Sequence, residues 1–240
     1  AAAPAHSQGG SMSTLVLSLL FLLLTLVLFY ANQAVHRRHP HFLLTPAICT
    51  SAILIVIVQA TSTPFATYFG ETRWLPWLLG PATIAFALPI FQERKLIRKH
   101  WLALSLGSCA GIVASVAATL LLDRIFGVHG DMARSLLARS VSTPFALEAS
   151  RHMGGSAQLT GIFVVMTGLF GLMLGKPLLK LLPLRMRIAR GAPYGAAAHG
   201  FGLSVARRVG TEEGAVASLT MIFSGVVTVL LAPLLGHLLG

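Results

Sequence analysis

Long uncharged apolar runs alternate along this chain with short basic segments. Thr14 to Ala31 is a Leu-rich run without charge, close to the roughly 20 helical residues that cross a bilayer core. His36, Arg37, Arg38, His39 and His41 follow at once. Phe42 to Gly70 is uncharged for 29 residues, more than one straight helix needs. Pro46 suits the start of a helix and Pro64 its end, so a span is expected near 45–62. Trp74 and Trp77 form an interfacial pair at the head of a third span, 74–92. Gly80-Pro81 and Pro89 interrupt that span. Clean spans follow at 101–122, 156–175 and 214–236.

Two segments break the pattern. Ser135 to Gly155 carries Arg139, Pro144, Glu148 and Arg151 among apolar residues. Arg190 to Gly214 carries Gly191, Pro193, Gly195, His199, Gly200 and Gly202. Glycine weakens a helix and proline starts or breaks one. Loose backbone is tolerated at membrane depth only where protein or a wet cavity satisfies it. Broken helices of this kind mark substrate or ion paths.

Composition settles the class. The 240 residues are 55% hydrophobic and only 10% charged, against about 25% charged in soluble domains. The net charge of +11 sits in short loops, which points to positive-inside topology and not to nucleic acid. The loops at 93–100 and 176–190 are the most basic and are expected on the cytoplasmic side, joined by the spans 101–122 and 156–175. Segment 135–155 then makes no net crossing, and Arg207 and Arg208 favour the same for 191–207. The expectation is an all-α polytopic membrane protein with about six spans and two opposed re-entrant broken-helix segments. STPFATYFG at 62–70 resembles STPFALEAS at 142–150, which suggests an inverted repeat. Residues 1–11 read as a vector-derived scar, and 12–240 as one transmembrane domain. The location expected is the inner (plasma) membrane, multi-pass.

Candidate chemistry lies in the broken segments. Thr83, Ser142, Thr143, His199 and Ser204 offer hydroxyl or imidazole partners. Pro81, Pro144 and Pro193 each fit the first turn of a half-helix, whose free N–H groups attract anions. Arg139 adds a charge able to hold a carboxylate in bidentate fashion. The plainer alternatives are that Arg139 snorkels to headgroups, that His199 packs as a neutral residue and that Thr83 bonds its own helix. Glu148 either pairs with Arg151 or Arg139 or, as the carboxylate expected at depth, carries a proton; His199 is the other proton-coupling candidate. Glu212 and Glu213 are expected to cap the last helix. Cys49 and Cys109 read as core residues. There is no GxSxG, HExxH or Walker A pattern and no acidic pair with metal spacing, so no enzyme, metal or cofactor is expected.

Three stretches, LLGPATIAFALPIF, ARSVSTPFALEASRHMGG and ARGAPYGAAAHGFGLSVARRVGTEEGAVASL, resemble in order and spacing the signature segments of the LrgB/CidB family. The resemblance runs from about Trp74 to the C-terminus. It points to Gly80, Pro81, Ala82 and Thr83, to Ser140, Thr143, Pro144 and Glu148, and to Ala189, Gly191, Gly195, His199 and Gly202. Two departures stand out: Arg139 replaces the usual Lys, and Leu203 follows Gly202 where Thr is usual, leaving Ser204 as a stand-in. The family includes bacterial proteins named for control of murein hydrolase activity and autolysis, often encoded beside a small LrgA/CidA-like membrane partner. It also includes the plastidal glycolate/glycerate translocator. The resemblance implies a secondary transporter of small monocarboxylates (glycolate, glycerate, lactate or pyruvate), or a holin/antiholin-like regulator of murein hydrolases. A homodimer is expected in the carrier case.

Overall fold

In hydrocarbon an apolar run must satisfy its own backbone, and a helix does so within one segment. A computed structural model describes residues 12–39, 41, 44–184 and 186–239. The scar expected over 1–11 and Arg185 of the basic loop lie outside these residues. The helices are α1 (Met12–Arg38), α2 (Pro46–Ala60), α3 (Phe65–Thr72), α4 (Trp74–Trp77), α5 (Leu79–Ala85), α6 (Ala87–Gln92), α7 (Arg94–Phe126), α8 (Asp131–Leu137), α9 (Thr143–Met153), α10 (Ala157–Leu181), α11 (Arg187–Val209) and α12 (Thr211–Leu239). A 3-10 turn, Ala138–Ser140, joins α8 towards α9, and no strand occurs among the described residues. The chain is an all-α polytopic membrane protein.

Among the described residues, five stretches are long and apolar enough to cross a membrane: Thr14–Arg38, Trp74–Gln92, Arg94–Phe126, Ala157–Leu181 and Thr211–His237. The sixth expected span is α2. It has 15 residues and rises roughly 22 Å, short of the ~30 Å hydrocarbon core. Pro46 starts it as expected, but it ends at Ala60, and Ser62, with φ 48°, turns the chain before Pro64.

Other boundaries also moved. The basic stretch 94–100 is helical, because Lys and Arg are good helix formers, and α7 bends at His100 (φ −125°, ψ 24°). At its far end α7 runs on through Asp123 to an αL cap at Gly127 (φ 63°). Span 74–92 is interrupted at Leu78 and Phe86 and not at Gly80-Pro81. Pro81 instead occupies the first turn of α5, where its missing N–H leaves no bond unmade.

The described residues form two compact units, one ending at Leu79 and the other beginning at Gly80. In the first, Ser18 Oγ of α1 donates to Thr67 O of α3 at 2.7 Å, and Asn32 Nδ2 donates to Thr50 Oγ1 of α2 at 2.9 Å. Phe21 meets Tyr68 edge-on at 5.7 Å. Small and polar residues thus let these helices approach where lipid offers no hydrophobic drive between them.

In the second unit α12 is the most buried span, and α11 lies along it. A Cβ at Gly195 would collide with Ala217 O and Thr220 Oγ1 of α12, and one at Gly191 would meet Glu213 O at 2.6 Å. Thr220 Oγ1 donates to Ala192 O at 3.2 Å. Glu212 and Glu213 sit in the first turn of α12 as expected, and each takes an arginine of α11 as well: Arg187–Glu212 at 3.2 Å and Arg190–Glu213 at 2.9 Å. Leu137, Val141, Phe145, Met221 and Ile222 pack together as the largest core cluster, which pins the chain around residue 141 to α12.

Candidate functional site

The helix α11 breaks at His199, where φ is 49° and ψ −129°. A side chain there is strained, and such strain of about 1–3 kcal/mol concentrates at functional sites. Pro193, expected to begin a half-helix, lies inside the first half. That half starts at Arg187, because Met186 is extended (φ −81°, ψ 136°) and supplies the N-terminal boundary. The glycines expected to break the segment stay helical. Gly191, Gly195 and Gly202 are contact points: a Cβ at Gly202 would strike Tyr194 O across the bend, whereas Gly200 faces open space.

The second interruption separates the 3-10 turn from α9. Val141 (φ −136°, ψ 168°) and Ser142 (φ −64°, ψ 150°) are extended. Ser142 precedes α9, Thr143 and Pro144 form its first turn, and the Ser142 hydroxyl is buried without a hydrogen-bond partner. Ser140 Oγ bonds Ser115 Oγ of α7. The Arg139 guanidinium donates to Thr119 Oγ1 at 3.1 Å.

The two interruptions meet. The imidazole of His199 is buried and approaches the backbone carbonyls of Arg139 and Gly195, while its Nε2 has no hydrogen-bond partner. Beside them is a cavity of about 640 Å³ between α7, the 3-10 turn, α10 and α11. Its walls are mostly apolar, with polar residues Thr119, Asp123, Arg139, Thr167 and Tyr194 among them. An apolar hollow with a few convergent polar groups is the usual form of a small-molecule site.

Of the residues expected to bind substrate, only Arg139 lines this cavity. His199 and Ser142 lie behind it at the breaks. Thr143 is partly buried in the first turn of α9, and Thr83 is partly exposed on α5. Ser204 is exposed, and its hydroxyl donates to Phe201 O at 2.6 Å, which bonds it within its own helix.

Glu148 takes the plainer of its two expected roles, pairing with Arg151. It is about half exposed and pairs with Arg151 at 3.4 Å and His152 at 3.3 Å. Asp123 is a buried carboxylate, 7% exposed, and unlike the ion-paired Glu213 it keeps an oxygen, Oδ2, without a partner. Asp123 closes an uncharged run, so it reads as a loop residue. A signal was present: Thr119 precedes it by one helical turn and Ile125-Phe126 follow, which extends the helix and puts both polar groups on one face. No group of three or more His, Cys, Asp or Glu able to hold a metal occurs among the described residues.

The model of the LrgB-like family matches residues 25–238. The chain belongs to the LrgB-like family. The Holin-like protein CidB of Staphylococcus epidermidis is 30% identical over 224 residues, covering 93% of this chain and 98% of that protein. The Holin-like protein CidB of Staphylococcus aureus is also 30% identical, with the same coverage. The uncharacterized protein YwbG of Bacillus subtilis is 29% identical over 214 residues, 89% of this chain and 95% of that one. No solved structure matches the chain. As an LrgB-family chain with several membrane-spanning helices, it is an integral multi-pass protein of the bacterial plasma membrane.

Proposed function

We propose that this LrgB-family protein is a holin-like membrane component that controls murein hydrolase activity and autolysis, acting with a small LrgA/CidA-like membrane partner. The observation that carries this is the similarity over nearly the full length to relatives named holin-like. Deleting the gene and following detergent-induced lysis tests it. The expected result is a changed lysis rate, restored by the wild-type gene. Lysis curves that coincide with and without the gene would sink the proposal.

The site geometry favours a second activity, compatible with the first: secondary transport of a small monocarboxylate of the glycolate, glycerate, lactate or pyruvate class. Arg139 faces an apolar cavity, with its guanidinium held by one neutral hydroxyl. Two interrupted helices meet behind it, a construction used at the midplane sites of carriers. Arg139→Ala is expected to weaken uptake into proteoliposomes by about 10- to 100-fold, as loss of a charge-assisted hydrogen bond would. Undiminished uptake by inserted, folded R139A would remove Arg139 from the site.

A further inference from the structure

Asp123 belongs to two cavities. One is the hollow lined by Arg139, Thr119 and Tyr194; the other, of about 540 Å³, is lined by Arg124, His129 and Arg134. The second cavity lies at the end of α7, where the chain turns through Gly127 and Gly130 into α8. Asp123 thus stands as the wall between a basic vestibule and the inner hollow.

Asp123 lies within electrostatic reach of Arg139 and His129, yet no direct ion pair joins it to either among the described residues, and its Oδ2 is buried without a partner. A buried carboxylate oxygen left without a hydrogen bond is costly while the group is ionised. The arrangement is stable when something lies between Asp123 and Arg139, or when the carboxyl carries a proton it can donate. A second anion beside an ionised Asp123 would be repelled, since like charges sharing a site cannot both stay ionised cheaply. A protonated Asp123 instead offers an O–H donor to the anion that Arg139 holds.

We propose that Asp123 is the proton-coupling group of this site: a small carboxylate binds between Arg139 and Asp123 only when Asp123 is protonated, so that one proton travels with each anion. This rests on the transport activity proposed above. The proton reaches Asp123 from the vestibule side, and it leaves when the anion leaves and the carboxyl ionises again towards Arg139. The other titratable or charged residues lining the two cavities are Arg124 on the same helix, His129 in the following turn, Arg134 on α8 and Tyr194 on α11. Of these, His129 lines the vestibule beside Asp123 and is varied alongside it in the test.

The test uses the full chain in proteoliposomes, with labelled pyruvate and glycolate and an internal pH dye. Wild type should carry about one proton inward per anion, and its apparent affinity should weaken as pH rises, approaching about tenfold per unit. Asp123→Asn should lose accumulation driven by a pH gradient and bind with an affinity that is flat from pH 6 to pH 8. Asp123→Glu should restore the gradient response, and His129→Gln should keep it. Gradient-driven accumulation by D123N, or a flat profile in H129Q alone, would overturn the assignment while leaving transport intact. If D123N does not fold, the wild-type proton count decides: saturable uptake without proton entry overturns the proposal. No saturable uptake of either acid by folded wild type would remove the transport activity itself, and this proposal with it.

Discussion

At residue scale the decisive positions are three side chains held in unfavourable places. His199 occupies a backbone region suited to glycine, with its ring buried. Ser142 and Asp123 keep buried polar atoms without partners. His199→Gly and His199→Ala both remove the ring and differ only in the backbone. The glycine variant should therefore be the more stable by about 1 kcal/mol in a detergent thermal melt; equal melting would mean that the bend carries no strain. His199 stood out in the sequence by its glycine-rich, uncharged surroundings. Asp123 did not, because a charge next to an apolar run looks the same whether it ends the membrane segment or turns inward. Thr119 one turn earlier hints at the inward reading, and the neighbours supplied by the 3-10 turn and α8 decide it.

At the scale of elements, α11 and α12 depend on close approach. Gly195→Ala places a methyl group against Ala217 O and Thr220 Oγ1. It should cost about 1–3 kcal/mol, read as a lowered melting temperature. Gly200→Ala meets nothing within 4 Å and should be neutral or stabilising by up to about 1 kcal/mol, since alanine favours helix over glycine. Equal effects of the two would contradict the packing described for α11. Arg190 and Glu213 add a partly buried pair at the N-terminal ends of these helices, 2.9 Å apart, and Glu213 is almost wholly covered. Glu213→Ala should accordingly destabilise more than Glu212→Ala, whose partner Arg187 is well exposed. The same melts would check this.

For the whole molecule, the basic segments and α7 make a topology that can be tested directly. Replacing Cys49 and Cys109 and introducing single cysteines at Lys99, Arg187 and His129 gives three reporters. Lys99 and Arg187 should react with an impermeant thiol reagent only from the cytoplasmic side, and His129 only from the other. Labelling of all three from one face would remove the expected assignment of sides. The repeated STPF stretches, residues 62–65 and 142–145, both lie where a helix opens: Pro64 precedes α3, and Ser142 precedes α9. That local likeness is the footing the inverted repeat has.

What the sequence determined by itself was the class, the helical content and the approximate spans, because these follow from apolar length and from the backbone's need for internal hydrogen bonds in lipid. It also marked the two interrupted segments, since glycine and proline act locally. The tertiary structure decided where the interruptions fall. Tight packing on α12 keeps Gly191 and Gly195 helical, so the bend passes to His199. It decided as well which charges share a cavity: Arg139 and Asp123 are sixteen residues apart in the chain and come together only when α7, the 3-10 turn, α10 and α11 enclose one space. Local propensity carries no information about that enclosure, which depends on which helices pack against one another.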